Sequence, residues 1–135
     1  MKEAGMMIRG RVMNAWVKRW IPAAAWMALI FVLSAQSMFP LPGVSWLDEV
    51  LRIAAHLLLY AALGFLLCRA VMPDGARSTS KVAAVLIWAA AYAVSDEWRQ
   101  SFVPGRDASL FDWAVDMLGA LAGCAVYFGR MKDEG

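Results

Sequence analysis

Charge is scarce in this sequence. Of 135 residues only 18% are Asp, Glu, Lys or Arg, and 13 basic against 11 acidic side chains leave a net charge of +2. No bulk polycation is present, so no nucleic-acid partner is expected. Cysteine is nearly absent. Cys68 and Cys124 both fall in apolar runs; two are too few for a disulfide scaffold, and no CxxC or Cys/His spacing offers a structural zinc site. There is a single histidine, no HExxH and no Ser-His-Asp order, so the familiar hydrolase signatures are missing. Period-2 alternation is missing as well, and open strands cannot cross a bilayer, which removes sheet from consideration. The chain shows no internal repeat and no low-complexity segment.

What is plentiful is apolar surface. The AVILMFWYC share is 61% and mean hydropathy is +0.55, whereas a soluble domain sits nearer about 45–50% apolar. Disorder and an ordinary water-soluble globule are both excluded by this excess. The length suits one domain. Charge-free stretches divide the chain into Trp20–Leu47, Ile53–Cys68, Val82–Ser95 and Met117–Gly129. A membrane-spanning helix takes roughly 20 mostly apolar residues. The spans are therefore expected near 20–39, 50–71, 79–99 and 108–129, an all-α, membrane-embedded four-helix bundle. Turn chemistry separates them: Phe39-Pro40-Leu41-Pro42-Gly43, Met72-Pro73-Asp74-Gly75 and Pro104-Gly105.

Basic residues set the expected orientation. Lys2, Arg9, Arg11, Lys18, Arg19, Arg69, Arg77, Lys81, Arg130 and Lys132 fall on one side, and Arg52, Arg99 and Arg106 on the other. Both termini are thus expected in the cytoplasm, in a bacterial cytoplasmic membrane. Trp20, Trp46 and Trp98 then lie near the interfaces. Before the first span, Val12, Trp16 and Trp20 repeat at i+4 with Met13 and Val17 beside them and basic residues around them. That pattern is a short interfacial amphipathic helix on an anionic leaflet. The organisation expected is a basic N-terminal segment 1–19, a four-span membrane domain 20–129 and a cytoplasmic tail 130–135. A cleaved signal peptide, with a basic n-region and an apolar core Ile21–Leu33, competes for the same start. Its removal would leave three helices in an odd topology, so the retained span is the preferred reading.

The polar residues inside the spans carry the functional reading. At a rise of ~1.5 Å per residue, His56 and Asp116 both lie about 12 Å below the outer boundary. Asp112 is one turn shallower than Asp116 on the same face. Arg52 and Tyr60 bracket His56 at i−4 and i+4, Asp96 pairs with Gln100 at i+4, and Ser34, Gln36 and Ser37 occupy the outer part of the first span. Every span contributes polar groups to one leaflet, and the inner halves are almost purely apolar. A charge at depth costs roughly 2.5–3.5 kcal/mol on insertion scales, so these groups are expected to face one another in a cluster open to the outside. The outer acids are Asp48, Glu49, Asp96, Glu97, Asp107, Asp112 and Asp116, against Arg52, Arg99 and Arg106. No cofactor is evident, but the acidic excess admits a divalent metal on Asp96, Asp112 and Asp116. Arg52 and Arg106 offer the opposite, a local anion clamp. Glu97 is read as ending the third helix at the interface, and Ser109 as the N-cap of the fourth. Gly119-Ala120-Leu121-Ala122-Gly123 is a GxxxG that lets a helix approach closely, within the chain or in a homo-oligomer.

Three blocks of these residues resemble the VanZ-like family of small membrane proteins. Ser34-Ala35-Gln36-Ser37 is similar to its S-x-Q-S. Arg52, His56, Tyr60, Leu63 and Gly64 follow its R-K-x-x-H-x-x-x-Y-x-x-L-G. Asp96-Glu97, Gln100, Phe102, Pro104-Gly105-Arg106, Ser109, Asp112, Asp116, Gly119 and Gly123 follow the third and most specific block. The likeness runs from about Ile21 to Gly129. Ile53 stands where a Lys is frequent and Arg99 where a His is frequent. The resemblance implies a multi-span architecture and an effect on susceptibility to the lipoglycopeptide antibiotic teicoplanin, as its named member has.

Three functions fit these residues. The first is a non-catalytic envelope protein that binds a membrane lipid or a lipid-linked or amphipathic envelope molecule through Gln36, Arg52, His56, Tyr60, Asp96, Gln100, Arg106, Asp112 and Asp116. The second is an intramembrane enzyme acting by transfer or hydrolysis on a lipid-linked substrate, with His56, Asp96 and Asp116 as catalytic candidates. The third, ranked last, is a proton- or ion-coupled transporter.

Overall fold

The computed structural model describes residues 2–35, 45–105 and 107–133. Gln36, Ser37 and Arg106 lie outside the described residues. Four helices follow one another: α1 Lys2–Ser34, α2 Ser45–Val71, α3 Thr79–Gln100 and α4 Leu110–Asp133. No strand occurs among the described residues. The basic N-terminal segment and the first apolar span form one continuous helix. It runs through Pro22, which leaves the Lys18 carbonyl without its usual donor.

Three helices are long and apolar enough to cross a membrane: Val12–Ser34, Trp46–Val71 and Leu110–Asp133. The sequence predicts four spans. The helix that falls short is α3, because Lys81 at one end and Asp96, Glu97 and Arg99 at the other confine its charge-free stretch to Val82–Ser95. Its length matches its neighbours, and Asp96 and Glu97 are buried against them. The outer surface is apolar around the bundle: Leu29, Phe31, Val32, Leu58, Ile87, Val94, Leu118 and Val126 are all exposed. A helix that is apolar on its outward face needs lipid or protein there.

The tightest pairing is between α2 and α4, which run parallel. Gly64, Gly119 and Gly123 explain it. A Cβ at Gly123 would overlap the Ala61 carbonyl, one at Gly119 the Leu57 carbonyl, and one at Gly64 the Ala120 carbonyl. Only glycine allows two backbones to come this close. The GxxxG of α4 is thus covered by α2 within the chain, and a second copy would have to dock elsewhere. The same register brings Cys68 and Cys124 to 2.9 Å between sulfurs. Below them the Tyr127 hydroxyl donates to the Met72 carbonyl, closing the α2–α3 turn, where Gly75 takes φ +69°.

The other helices are tied by side chains that reach a neighbour's backbone. Trp26 of α1 donates from Nε1 to the Leu59 carbonyl at 2.8 Å. Tyr92 of α3 donates to the Met27 carbonyl at 2.5 Å. The core therefore has two halves. The half nearer the termini is apolar, built on Leu63, Leu67, Cys68, Val85, Ala89, Ala120 and Cys124. The other half buries His56, Asp96, Glu97, Gln100, Asp112 and Asp116.

Candidate functional site

The buried polar groups gather at the end of the bundle where α1 and α3 finish and α2 and α4 begin. Local sequence explains each placement. On α2, Arg52, His56 and Tyr60 follow at i+4 and so share a face. On α4, Asp112 and Asp116 do the same, directly opposite. The parallel register set by Gly119 and Gly123 then pairs them: Arg52 with Asp112 and His56 with Asp116. The second contact joins His56 Nδ1 to Asp116 Oδ1 at 2.8 Å, with both residues buried. Arg52 also holds Glu49 of its own helix at 2.6 Å.

Helix α3 serves two sides of this end at once, since Asp96 and Glu97 are adjacent and point about 100° apart. Asp96 turns toward α1. Ser34 donates to its Oδ1 at 2.6 Å, Arg99 donates to the same oxygen at 2.8 Å, and Gln100 donates to Oδ2 at 3.2 Å. Arg99 also touches Ser34 and stacks over the Phe31 ring, 3.9 Å from its centroid. Glu97 turns toward α2 and α4. Its Oε2 accepts the Ser109 backbone N–H at 2.8 Å, and Ser109 in turn caps α4 by accepting the Asp112 N–H at 3.3 Å.

Two sub-sites result. One is internal: His56, Glu97 and Asp116, all buried, each offer a ligand atom within 4.8 Å of the others. Asp116 Oδ2, Glu97 Oε1, Asp112 Oδ1 and the Tyr60 hydroxyl are buried here without any hydrogen-bond partner among the described residues. Unpaired buried polar atoms are uncommon and call for an explanation. The other is peripheral: a cleft of about 340 Å³ between α1 and α3, lined by Phe31, Tyr92, Ser95, Asp96, Trp98, Arg99 and Phe102. Trp98 and Phe102 stack edge-on at its rim, 5.5 Å apart, and both are exposed.

Of the residues singled out from sequence, the structure unites His56 with Asp116 and Arg52 with Asp112, and it places Asp96 with Gln100 on the α1 side. Asp96, Asp112 and Asp116 do not form one ligand set. Asp96 has both oxygens hydrogen-bonded, and its place beside Asp116 is taken by Glu97. The sequence reads Glu97 as an interfacial helix end, yet it is 6% exposed. The signal that finds it is the stripe Val85, Ala89, Ala93, each buried and each four residues on, which continues to 97. Arg99, a departure from the family pattern, anchors the peripheral cleft.

A helical, multi-pass membrane protein with charged and polar groups collected at one end of its bundle is the class this architecture defines. The chain belongs to the VanZ/LLP1 family, whose model matches residues 12–131. No match was found among curated proteins or among solved structures.

Proposed function

We propose that this protein binds an amphipathic envelope molecule, a membrane lipid or lipid-linked precursor, at the polar end of its bundle, and that occupancy alters the access of lipoglycopeptides such as teicoplanin. The observation that carries this reading is the α1–α3 cleft. Its lining combines the aromatic side chains Phe31, Tyr92, Trp98 and Phe102 with the Asp96–Arg99 pair, and exposed apolar residues such as Val32 and Val94 on the same two helices suit acyl chains. Arg99 supplies donors for a phosphate, while Phe31, Trp98 and Phe102 supply the apolar flank. The basic-residue tally favours an orientation with both termini cytoplasmic, which turns this end toward the outer leaflet. The apolar half of the core, from Leu63 to Ala120, provides no continuation of a polar path, so transport is not favoured.

The test is thermal unfolding of the purified chain in detergent with a chelator present, against added zwitterionic phospholipid, anionic phospholipid or polyprenyl phosphate. At about a hundredfold excess over Kd a ligand of the folded state stabilises by roughly 2.7 kcal/mol. At least one of these lipids is expected to raise the Tm, and Arg99→Gln is expected to abolish most of the rise. A Tm indifferent to all three refutes the reading.

A second reading, an intramembrane enzyme on a lipid-linked substrate, is favoured by one observation: the His56–Asp116 pair is buried at the same end of the bundle as the cleft and carries one carboxylate oxygen, Asp116 Oδ2, without a partner among the described residues. A buried imidazole held by a carboxylate is the arrangement a general base needs.

A further inference from the structure

We infer that His56, Glu97 and Asp116 form a binding site for one divalent first-row metal cation that accepts mixed nitrogen and oxygen donors, Zn²⁺ or Mn²⁺. The inference concerns the internal sub-site and stands whether or not the cleft takes a lipid.

The three side chains come from α2, α3 and α4, so the site exists only in the assembled bundle. One donor atom from each lies within 4.8 Å of the others, and all three residues are buried. Ligand atoms around a tetrahedral Zn²⁺ at ~2.1 Å are about 3.4 Å apart. Small side-chain rotations therefore suffice to close the set, and His56 and Asp116 already touch.

The independent observation is what the cluster lacks. Asp116 is 0% exposed and Glu97 6% exposed, and Asp116 Oδ2 and Glu97 Oε1 have no partner among the described residues. Tyr60, one turn from His56 on the same face, is 1% exposed with an unpartnered hydroxyl. The two carboxylate oxygens need a donor or a cation. The nearby cations are committed elsewhere among the described residues. Arg52 is held by Asp112 and Glu49, and Arg99 by Asp96 on the far side of α3. The N-terminus of α4 supplies Glu97 with one N–H, on Oε2, and leaves Oε1 untouched. A divalent ion between the three side chains satisfies the remaining oxygens together. Imidazole with carboxylates selects Zn²⁺ or Mn²⁺ over Ca²⁺ and Mg²⁺, which take oxygen donors.

The full chain, purified in detergent without added lipid and stripped with a chelator, is dialysed against Zn²⁺, Mn²⁺, Mg²⁺ or Ca²⁺ separately, and retained metal is counted per chain. One equivalent of Zn²⁺ or Mn²⁺ is expected, with a raised Tm. Glu97→Gln and Asp116→Asn, both isosteric, are expected to weaken binding by about tenfold or more, and Asp96→Asn to leave it within about threefold. The double variant Cys68→Ser/Cys124→Ser is expected to bind as the parent does, which assigns the ion to this cluster and not to the thiols. Co²⁺ added to the unmodified chain is expected to give visible d–d absorption that Zn²⁺ displaces, a readout that needs no variant to fold. No retained ion and no Co²⁺ absorption in the unmodified chain would overturn the inference. So would equal retention of Mg²⁺ or Ca²⁺, loss of binding in the cysteine variant, or full binding by Glu97→Gln.

Discussion

A single methyl group at position 123 is expected to push α2 and α4 apart. In the structure a Cβ there would overlap the Ala61 carbonyl and come within 2.8 Å of its carbon and 2.9 Å of the Phe65 nitrogen. All three obstacles are backbone atoms, so no side chain can rotate away; the helices must separate. Overpacking of this kind costs typically about 1–3 kcal/mol, and the rigidity of the opposing atoms places Gly123→Ala toward the upper end. The intrinsic helix preference of Ala over Gly works against this by roughly 1 kcal/mol. The net expectation is a loss of about 2 kcal/mol, read as a lowered Tm in detergent.

The same helix contains its own control. A methyl group at Gly129 would meet nothing within 4 Å, and the residue is exposed, so Gly129→Ala gains the helix preference alone and is expected to be neutral or slightly stabilising. The two substitutions are chemically identical, lie on one helix, and differ only in what faces them. If Gly123→Ala proves as stable as the parent, or if the two variants shift the Tm equally, the close α2–α4 approach is wrong. The pairing of Arg52 with Asp112 and of His56 with Asp116 would fall with it, because both depend on that register.

The buried thiols probe the same interface lower down. With their sulfurs 2.9 Å apart, Cys68 and Cys124 are expected to be lost together to maleimide labelling after treatment of the detergent-solubilised monomer with a mild oxidant, without any dimer on a gel; labelling of one alone would contradict the register. At the polar end, His56→Ala leaves Asp116 buried with neither oxygen bonded and is expected to cost about 3 kcal/mol, whereas Asp116→Asn keeps an acceptor for the ring and is expected to cost about 1 kcal/mol; equal Tm losses for the two variants would refute the pairing. Trp26→Phe removes the 2.8 Å bond to the Leu59 carbonyl and is expected to lower stability by about 0.6 kcal/mol, typical of interhelical hydrogen bonds in membranes, with no change in helicity by circular dichroism.

Much of the fold was legible because lipid imposes a simple rule. Backbone groups must be satisfied within each crossing segment, so apolar runs become helices and the Pro-Gly pairs between them become turns. The helices end within a few residues of where Met72-Pro73-Asp74-Gly75 and Pro104-Gly105 place them. Ser109 caps α4 as its position before Leu110 suggests. Which helix lies against which was not legible. The Gly119–Gly123 stripe serves a partner helix in another chain as readily as α2, and only the matching gap at Ala61 and Gly64 decides between them. Nor does the sequence alone show that the charged end of α3 is tolerated because its neighbours cover Asp96 and Glu97.

The polar cluster divides along the same line. Period 3.6 alone predicts that Arg52, His56 and Tyr60 share a face, and that Asp112 and Asp116 share another; the meeting of those two faces needed only the expense of exposing them to lipid. Glu97 escaped because adjacent acids at a helix end look alike in sequence. Asp96 does pair with its i+4 neighbour Gln100, and with Ser34 and Arg99 that contact satisfies Asp96 and removes it from the internal cluster. The residue with no partner of its own type four positions away is the one left facing His56 and Asp116. In an apolar bundle the more informative acid is therefore the one that prolongs a stripe of small buried residues, here Val85, Ala89 and Ala93. Small side chains draw α3 against α2 and α4, and whatever follows them on that face is carried into the interior, charged or not.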